Sequence, residues 1–361
     1  MYSSKSSKGT VFPLRSMFVF FIALFGFYVC YFSLTQIALE NEEEEMNDVE
    51  ERTKVLCTRP ASAVPYRQMR YVHFPRPMSY DRGECACTPV RFFVIVSMQR
   101  SGSGWFETLL NSHPNVSSNG EIFAVRERRE DIVSILRTLD RLYDLDWRTS
   151  AAKNECTAAF GLKWMLNQGI LDYPHDIVNY LNKKGVMVIF LFRRNTLRRH
   201  VSVLANDYDR RTKQLNGTHK AHVHSLEEAE ILARFRPELD VSSLIPSIRE
   251  AEQSMEACLR QFRATRHMIL YYEDLIGDDN VTEESAHCHS QLTKKLDRGL
   301  TCAVFWLQAL SRVQKFLGVP VRPLSSRHVK IHTSPLPDLV DNWEEVRETL
   351  RGTEFHHFLD G

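Results

Sequence analysis

A strand, a glycine loop and a helix follow one another from residue 91, and this succession restricts the fold more than any other feature. Residues 91–97 are apolar and rich in β-branched side chains, which is typical of a strand buried on both faces. Gly102 and Gly104 interrupt the run, and apolar residues then recur at helical spacing from Trp105 to Leu110. Such a unit predicts a parallel α/β sheet.

The alternation of strands and helical segments continues along the chain. Apolar runs at 160–165, 186–192 and 267–272 predict three further strands. Helical periodicity over 196–208 and 302–316 supplies segments between and after them. We therefore predict a three-layer α/β/α fold with a central parallel sheet, in which ligands bind at the carboxyl ends of the strands.

The N-terminal part has a different character. Residues 16–39 are uncharged and strongly apolar, and they supply the roughly 20 apolar residues that a membrane-spanning helix needs. Basic residues precede this stretch and an acidic run follows it, which favours a cytosolic N-terminus. No convincing signal-peptide cleavage site follows. The predicted organisation is a cytosolic tail over 1–15, a transmembrane signal-anchor helix over 16–39, a stem over 40–90 and a catalytic domain over 91–361.

With this topology the domain is expected in the Golgi lumen, as part of a single-pass type II membrane protein. Three sequons make Asn115, Asn216 and Asn280 candidate glycosylation sites. The cysteines would be free to form disulfides in such a compartment, with their pairing left open. The net charge of +1 provides no field that attracts nucleic acid, and no nucleic-acid partner is expected.

The loop over 99–105 has the composition of an anion site. The N–H groups of a glycine loop that opens a helix can surround a phosphate. Arg100 adds a full charge, and Ser101 and Ser103 add hydroxyl donors. The loop lacks the first glycine and the Lys-[ST] pair of G-x-x-x-x-G-K-[ST], which argues against a metal-bound triphosphate. By itself, the glycine pair is also compatible with a tight strand–helix turn.

A second basic motif makes the phosphate interpretation specific. Arg194 and Asn195 follow the run at 186–192, and Ser202 comes eight residues after Arg194, about two helical turns. Together the two motifs resemble the PAPS-dependent sulfotransferases, where PAPS is 3′-phosphoadenosine 5′-phosphosulfate. Residues 97–105 are similar to that family's 5′-phosphosulfate loop, and Arg194 to Ser202 matches its 3′-phosphate motif.

Weaker likenesses support this resemblance. Residues 272–275, Tyr-Glu-Asp-Leu, are similar to a late-strand signature of the superfamily. Within the superfamily the chain resembles most the carbohydrate-directed, nodulation-factor type, through residues 113–121, 338–342 and 352–353. The resemblance covers about residues 91–361 and implies the sulfotransferase form of the P-loop NTPase-like fold.

The resemblance implies a role for each motif. The loop residues that would bind the 5′-phosphosulfate are Arg100, Ser101, Gly102, Ser103, Gly104 and Trp105. Arg194, as a fork of N–H donors, and Ser202 would hold the 3′-phosphate. A sulfuryl group carries less negative charge than a phosphoryl group, so cationic side chains can replace magnesium and no metal is expected. Paired histidines such as His222 and His224 lack a third ligand at suitable spacing.

Three residues form the predicted catalytic set. Glu121 matches the glutamate that serves as general base in the glycan-directed relatives, with His113 as the alternative base. Lys163, near the carboxyl end of the second predicted strand, would help to hold the transferred group or the substrate. Arg100 would stabilise charge on the leaving oxygen. Simpler interpretations are an exposed acid for Glu121 and a solvated strand-end charge for Lys163.

A basic segment at 327–332 follows the last predicted helix. It would close over the nucleotide or bind an acidic acceptor, and a solvated loop is the plain alternative.

The predicted activity is transfer of a sulfuryl group from PAPS to an acceptor hydroxyl by in-line attack. A glycan is the first choice of acceptor, and a tyrosine of a secreted protein is the second. A Golgi glycosyltransferase is one alternative, although the Asp-x-Asp pairs at 144–146 and 207–209 lie in helical or polar context. A lumenal protein that binds the nucleotide without turnover is the other.

Overall fold

The computed structural model describes residues 25–26, 28–29, 66–79, 82–147, 156–276 and 299–360. The elements below belong to the compact unit that residues 61–361 form. The strands are β1 (Arg91–Ser97), β2 (Val116–Ser118), β3 (Ala159–Met165), β4 (Val186–Phe192) and β5 (His267–Tyr271). The helices are α1 (Ser103–Ser112), α2 (Ile132–Tyr143), α3 (Pro174–Lys183), α4 (Thr196–Thr212), α5 (Leu226–Ala233), α6 (Val241–Gln261), α7 (Tyr272–Ile276), α8 (Gly299–Leu317), α9 (Leu336–Leu339) and α10 (Trp343–Leu350).

The strands form one parallel sheet in the order β2-β3-β1-β4-β5. β1 is central, with Val94 in register with Leu162 of β3 on one side and Val188 of β4 on the other. The chain moves from β1 towards one edge and later towards the other, so the loop after β1 emerges where the strand order reverses. That crevice is the usual ligand site of a parallel α/β sheet. The predicted α/β fold with a parallel sheet is confirmed.

Helices cover both faces of the sheet, which explains why its strands read as continuous apolar runs. Phe92, Val94 and Val96 of β1 belong to a buried cluster that includes residues of α2 and α3. Phe93 and Ile95 belong to a second cluster with residues of α1 and α8. A third cluster joins α4, α6 and α10. The middle strand therefore has no polar face, and the chemistry is confined to the ends of the strands.

Helix α4 begins at a side-chain cap that holds its first turn next to the β4 exit. The Oδ1 of Asn195 accepts the backbone N–H of Arg198 at 2.8 Å, which satisfies one of the free donors of a helix start. The Nδ2 of Asn195 donates to the carbonyl oxygen of Phe358 at 3.0 Å. One residue thus both starts α4 and anchors the C-terminal segment to it.

Part of the predicted stem packs on the domain. The backbones of His73 and Val90 exchange two hydrogen bonds of 2.9 and 2.8 Å. The His73 ring stacks on Phe92 with centroids 4.1 Å apart, and Tyr71 is 3% exposed. The segment before β1 therefore covers one end of the sheet. The limits proposed for tail, anchor, stem and domain remain a prediction.

A disulfide joins this segment to the chain before β3. Cys85 and Cys156 are bonded, with their Cα atoms 5.1 Å apart. Cys258 lies free and buried in the sheet-facing part of α6. The bond links two segments that are 71 residues apart in sequence and restrains the approach to β3.

The predicted anchor at 16–39 lies outside the described residues, apart from 25–26 and 28–29. Within the described ranges, no helix has both the length and the apolar character to cross a bilayer. The predicted transmembrane helix therefore gains no support from the structure.

Two isoleucines of neighbouring strands test the assignment of buried and edge positions. Ile189 in β4 is 0% exposed, whereas Ile269 in the edge strand β5 is 41% exposed. We expect Ile189→Ala to lower the free energy of unfolding by about 2–5 kcal/mol, because it leaves a cavity. Ile269→Ala should cost less than about 1 kcal/mol. Urea denaturation of both variants measures the difference, and equal losses would contradict the sheet order.

Candidate active site

The loop between β1 and α1 has a backbone that requires glycine. Gly102 lies at φ 77°, a left-handed conformation that glycine adopts without a steric penalty, and α1 begins at the next residue. A Cβ atom at Gly102 would lie 2.1 Å from the ring of Tyr272. Tyr272 thus packs directly on the loop, and the Trp105 ring meets it edge-on at 5.9 Å. The packing of Tyr272 thus restricts the conformation of the loop.

Two loop hydroxyls point into protected surroundings. Ser101 is 0% exposed and Ser103 is 5% exposed. The Oγ of Ser101 has no hydrogen-bond partner within the described part of the chain. A buried hydroxyl without a partner costs about 1–3 kcal/mol. A ligand with acceptor oxygens would remove that cost.

Arg100 brings the two phosphate motifs together. Its Nε donates to the Oγ of Ser202 at 2.9 Å, across 102 residues of sequence. Its Nη1 donates to the carbonyl oxygen of Ala221 at 2.8 Å. Burial, and then the nearby Arg193, lower the pKa of Arg100 to about 10, so the side chain is a cation at neutral pH. Arg100 and Ser202, one from each motif, are therefore in direct contact.

Arg194 is bound elsewhere. Its guanidinium makes two hydrogen bonds to the carboxylate of Asp274, at 2.5 and 2.8 Å, and lies 4.2 Å from the centroid of the Tyr271 ring. The hydrogen bond to Asp274 raises the pKa of Arg194. The guanidinium thus pairs with the Tyr-Glu-Asp-Leu segment, and not with Ser202. Its role towards a 3′-phosphate remains a prediction.

The neighbouring arginines, whose roles the sequence could not separate, have distinct contacts. Arg199 donates from Nη1 to the carbonyl oxygen of Gln99 at 3.1 Å and so supports the loop. Arg198 donates from Nη2 to the carbonyl oxygen of Ser334 at 2.7 Å. Arg193 lies 5.2 Å from the centroid of the Tyr272 ring. These cations surround Arg100 and make the start of α4 strongly attractive to an anion.

Lys163 and Glu121 meet at the carboxyl ends of the strands next to this anion site. Lys163 Nζ lies 3.3 Å from Glu121 Oε1. The Nε2 of Gln168 donates to Glu121 Oε2 at 2.8 Å. The Lys163 side chain is 7% exposed, whereas the Glu121 side chain is 36% exposed. Lys163 is thus buried and ion-paired, which excludes a solvated strand-end charge, and Glu121 remains open to an acceptor.

Glu107 is the residue that the sequence analysis missed. Its Oε2 lies 3.1 Å from Lys163 Nζ. Its Oε1 accepts the hydroxyl of Ser118 at 2.6 Å and the backbone N–H of Gly120 at 2.8 Å. The available signal was its spacing, because Glu107 follows Ser103 by four residues and so lies on the same face of α1 as that loop serine.

The basic segment at 327–332 lies over the phosphate loop. The backbone N–H of Val329 donates to Val223 at 3.0 Å, and the rings of His328 and His222 stack with centroids 4.7 Å apart. A Cβ atom on Gly104 would lie 2.2 Å from His222 Nε2. The two segments thus form a cover over the start of α1. In the described ranges, no group of three or more His, Cys, Asp or Glu side chains could hold a metal ion.

The remaining predicted site residues are the alternative base and the three sequon asparagines. His113, the alternative base, is 1% exposed, and its Nε2 lies 2.9 Å from the carbonyl oxygen of Pro320. Asn115 donates from Nδ2 to the carbonyl oxygen of Cys156 at 2.8 Å. Asn216 is exposed, and Asn280 lies outside the described residues. Glycosylation at the three sequons stays a prediction.

Two glycines allow the steric contact with Tyr272 to be distinguished from the strain of a left-handed backbone. Gly102 and Gly352 both have positive φ, at 77° and 75°, but a Cβ meets Tyr272 at Gly102 and open space at Gly352. Gly352→Ala should cost about 1–2 kcal/mol of unfolding free energy, from the left-handed backbone alone. Gly102→Ala should cost clearly more. Thermal unfolding of both variants measures this, and equal costs would show that Tyr272 does not hold the loop.

His332 should make the fold sensitive to acid. Burial, then Arg100, Arg193 and Arg198, lower the pKa of His332 to about 4, from an ordinary 6.5. Between these pH values the unfolded chain binds a proton that the folded chain does not, so the free energy of unfolding falls as the pH drops from about 6.5 to 4.

Urea denaturation between pH 4 and 7 measures this dependence. His332→Gln should make it shallower without abolishing it, because burial also lowers the pKa of His73 to about 4. His175→Gln, at an exposed position of α3, is the matched control. An unchanged slope in His332→Gln would contradict a neutral His332 among the arginines.

Comparison with known proteins gives a distant sequence relative. No protein-family model matches the chain. Nodulation protein H of Rhizobium meliloti is 23% identical over 276 residues, which cover 75% of this chain and 96% of the relative. A solved structure, a sulfotransferase from Alicyclobacillus acidocaldarius, matches with 13% identity and a TM-score of 0.28, over 63% of this chain and 96% of that chain.

The predicted location needs correction. A Golgi membrane protein with a single type II span was expected from residues 16–39, and the comparison contradicts that expectation. The relative at 23% identity is a bacterial protein. Within the described part of the chain, no helix can span a membrane.

The predicted family resemblance, in contrast, is confirmed. The sequence relative aligns with 75% of this chain, and Arg100 and Ser202 of the two motifs are hydrogen-bonded to one another. The sequence comparison therefore supports an assignment to the sulfotransferase superfamily, near nodulation protein H.

Proposed function

We propose that this protein transfers a sulfuryl group from PAPS to a hydroxyl group of a carbohydrate. The observation that carries the proposal is the 2.9 Å hydrogen bond from Arg100 Nε to Ser202 Oγ. It brings a glycine loop at a helix start into direct contact with a second basic motif, as a donor with two charged groups would require. The superfamily assignment supports sulfate transfer in general. The identity of the donor and the class of the acceptor are further parts of the proposal.

The donor would bind by its charges. The backbone N–H groups at the start of α1 and the hydroxyls of Ser101 and Ser103 would hold the 5′-phosphosulfate. Ser202 would contact the 3′-phosphate, together with the arginines at the start of α4. Arg194 would join them by exchanging Asp274 for phosphate oxygens. The cover formed by the His222 and His328 segments would exclude water from the loop.

The transfer step needs a base and charge stabilisation. A bond forms between the acceptor oxygen and sulfur as the bond from sulfur to the bridging phosphate oxygen breaks. The acceptor proton passes to Glu121, and the products are a sulfate ester and adenosine 3′,5′-bisphosphate. Arg100 would stabilise the negative charge that develops on the leaving phosphate. Lys163 would hold Glu121 and the transferred group in line.

A carbohydrate acceptor is favoured by the relationship to the nodulation type of sulfotransferase. Glu121 is the most exposed member of its ion-pair cluster, so a hydroxyl can reach it from solvent.

Incubation with ³⁵S-labelled PAPS and a panel of oligosaccharides and tyrosine peptides tests the function. We expect label on an oligosaccharide hydroxyl. Label only on peptide tyrosine would overturn the acceptor class. Binding of adenosine 3′,5′-bisphosphate without transfer to any acceptor would indicate a nucleotide-binding protein. Metal-dependent use of a nucleotide sugar would indicate a glycosyltransferase.

Glu121→Gln tests the base. We expect kcat to fall by about 10²–10⁴-fold, because general base catalysis contributes about that much. Affinity for adenosine 3′,5′-bisphosphate, measured by calorimetry, should not change, because Glu121 contacts Lys163 and Gln168 and not the phosphate loop. Glu127→Gln, at an exposed position on the next turn, is the matched control. Full activity of Glu121→Gln would exclude Glu121 as the base.

A further inference from the structure

Glu107 lies between the donor loop and the base, and it does not belong to either motif. Its carboxylate is 11% exposed and has three contacts, to Lys163, Ser118 and Gly120. A buried carboxylate with every contact made on the reacting side of the sheet is costly to maintain for packing alone. Its position on α1, one turn after Ser103, connects it rigidly to the phosphate loop.

We propose that Glu107 is a positioning residue for sulfuryl transfer, which neutralises Lys163 and fixes the backbone before Glu121 so that Glu121 keeps its own charge for the acceptor proton. The inference rests on the proposed function, because it gives Glu121 the role of base. Glu107 touches neither donor nor acceptor in this account. It acts only through Lys163 and Gly120.

The balance of charge supports the first half of this role. Lys163 pairs with two carboxylates, at 3.1 Å to Glu107 and 3.3 Å to Glu121. Two carboxylates and one ammonium leave the group with one excess negative charge. Without Glu107, Lys163 and Glu121 would be a neutral pair in which the ammonium holds the base in its charged form. Glu107, the more buried acid, satisfies Lys163 and leaves the more exposed acid available.

The hydrogen bonds of Oε1 support the second half. Glu107 Oε1 accepts the N–H of Gly120, the residue just before Glu121, at 2.8 Å. Gly120 lies at φ 71°, and a Cβ added there would have no atom within 4 Å. Its carbonyl oxygen accepts the backbone N–H of Lys163 at 3.0 Å, so the bond from its own N–H to Glu107 is a second fixed point of the backbone before Glu121 and ties it to α1. A catalytic site needs its side chains held within about 0.5 Å of the geometry that supports the reaction.

Neighbouring histidines do not change the balance. Burial, then His224 and Lys163, lower the pKa of His328, although Glu107 acts in the opposite direction. Burial, then His328, Arg100 and Lys163, also lower the pKa of His222. Both rings are therefore neutral at pH 7. The positive charge of Lys163 is thus balanced by the two carboxylates.

Glu107→Gln tests the charge. Glutamine keeps an oxygen for Ser118 and Gly120 but has no charge opposite Lys163. We expect kcat to fall at least about tenfold, yet less than for the loss of the base itself. The KM for PAPS and the affinity for adenosine 3′,5′-bisphosphate should stay within about twofold. Glu250→Gln, at an exposed position of α6, is the matched control. Parallel loss of kcat, donor affinity and thermal stability would indicate a structural role and overturn the proposal.

Glu107→Ala tests the backbone contact without any turnover. Glu107→Ala removes the oxygen that accepts the N–H of Gly120, so amide hydrogen exchange at Gly120 should become at least about tenfold faster. Glu107→Gln should leave the exchange rate close to that of the wild type. This measurement tests the role of Glu107 independently of the proposed sulfotransferase function. If the wild-type protein transfers no sulfate, the proposed function fails while the exchange result still reports on Glu107. Unchanged exchange in Glu107→Ala would overturn the positioning role even in an active enzyme.

Discussion

The hydrogen bond between Arg100 and Ser202 is the interaction on which the site depends. A buried guanidinium is stable only where its N–H groups find acceptors and the surrounding charge allows it. Arg100 has the Ser202 hydroxyl and the Ala221 carbonyl as partners, and two further arginines, Arg193 and Arg198, act together with it on the pKa of His332. The mutual repulsion of these cations is partly offset by carboxylates, as between Arg193 and Glu273, and an anionic ligand would offset it further.

The sheet provides the rigid frame for this contact. β1 and β4 are adjacent and in parallel register, so the loops that follow them emerge side by side. The hydroxyl of Ser97, at the last position of β1, donates to the Leu191 carbonyl oxygen at 2.6 Å and ties the two exits together. The Tyr-Glu-Asp-Leu segment follows the next strand, β5, and its Asp274 and Tyr272 contact Arg194 and the phosphate loop. Three strand ends thus supply one site.

A second group of charges lies on the other side of β1. Glu107, Lys163 and Glu121 come from α1, β3 and the loop after β2, and they share one ammonium between two carboxylates. Helix α1 connects the two halves, since it begins at the phosphate loop and carries Glu107 one turn later. One rigid element therefore connects the glycine loop to the cluster of Glu107, Lys163 and Glu121.

The sequence by itself determined the elements with strong local signals. The apolar runs predicted β1, β3, β4 and β5. β1, β3 and β4 carry almost no polar residues because they are buried on both faces, whereas β5 is the partly exposed edge strand. The glycines and the spacing of Arg194 and Ser202 predicted two anion motifs, because backbone conformation and helical period are local properties. The apolar stretch at 16–39 also gave a strong local signal, but it led to a location that the comparison contradicts.

Only the tertiary structure decided how these side chains pair. Arg194 binds Asp274, 80 residues away, and the Arg100 guanidinium contacts Ser202. Glu107 joins Lys163 and Gly120 although nothing at its position in the sequence resembles a motif. Composition and spacing cannot settle such choices, because several cations compete for a few carboxylates and hydroxyls. The outcome depends on distances between loops that come together only when the parallel sheet forms.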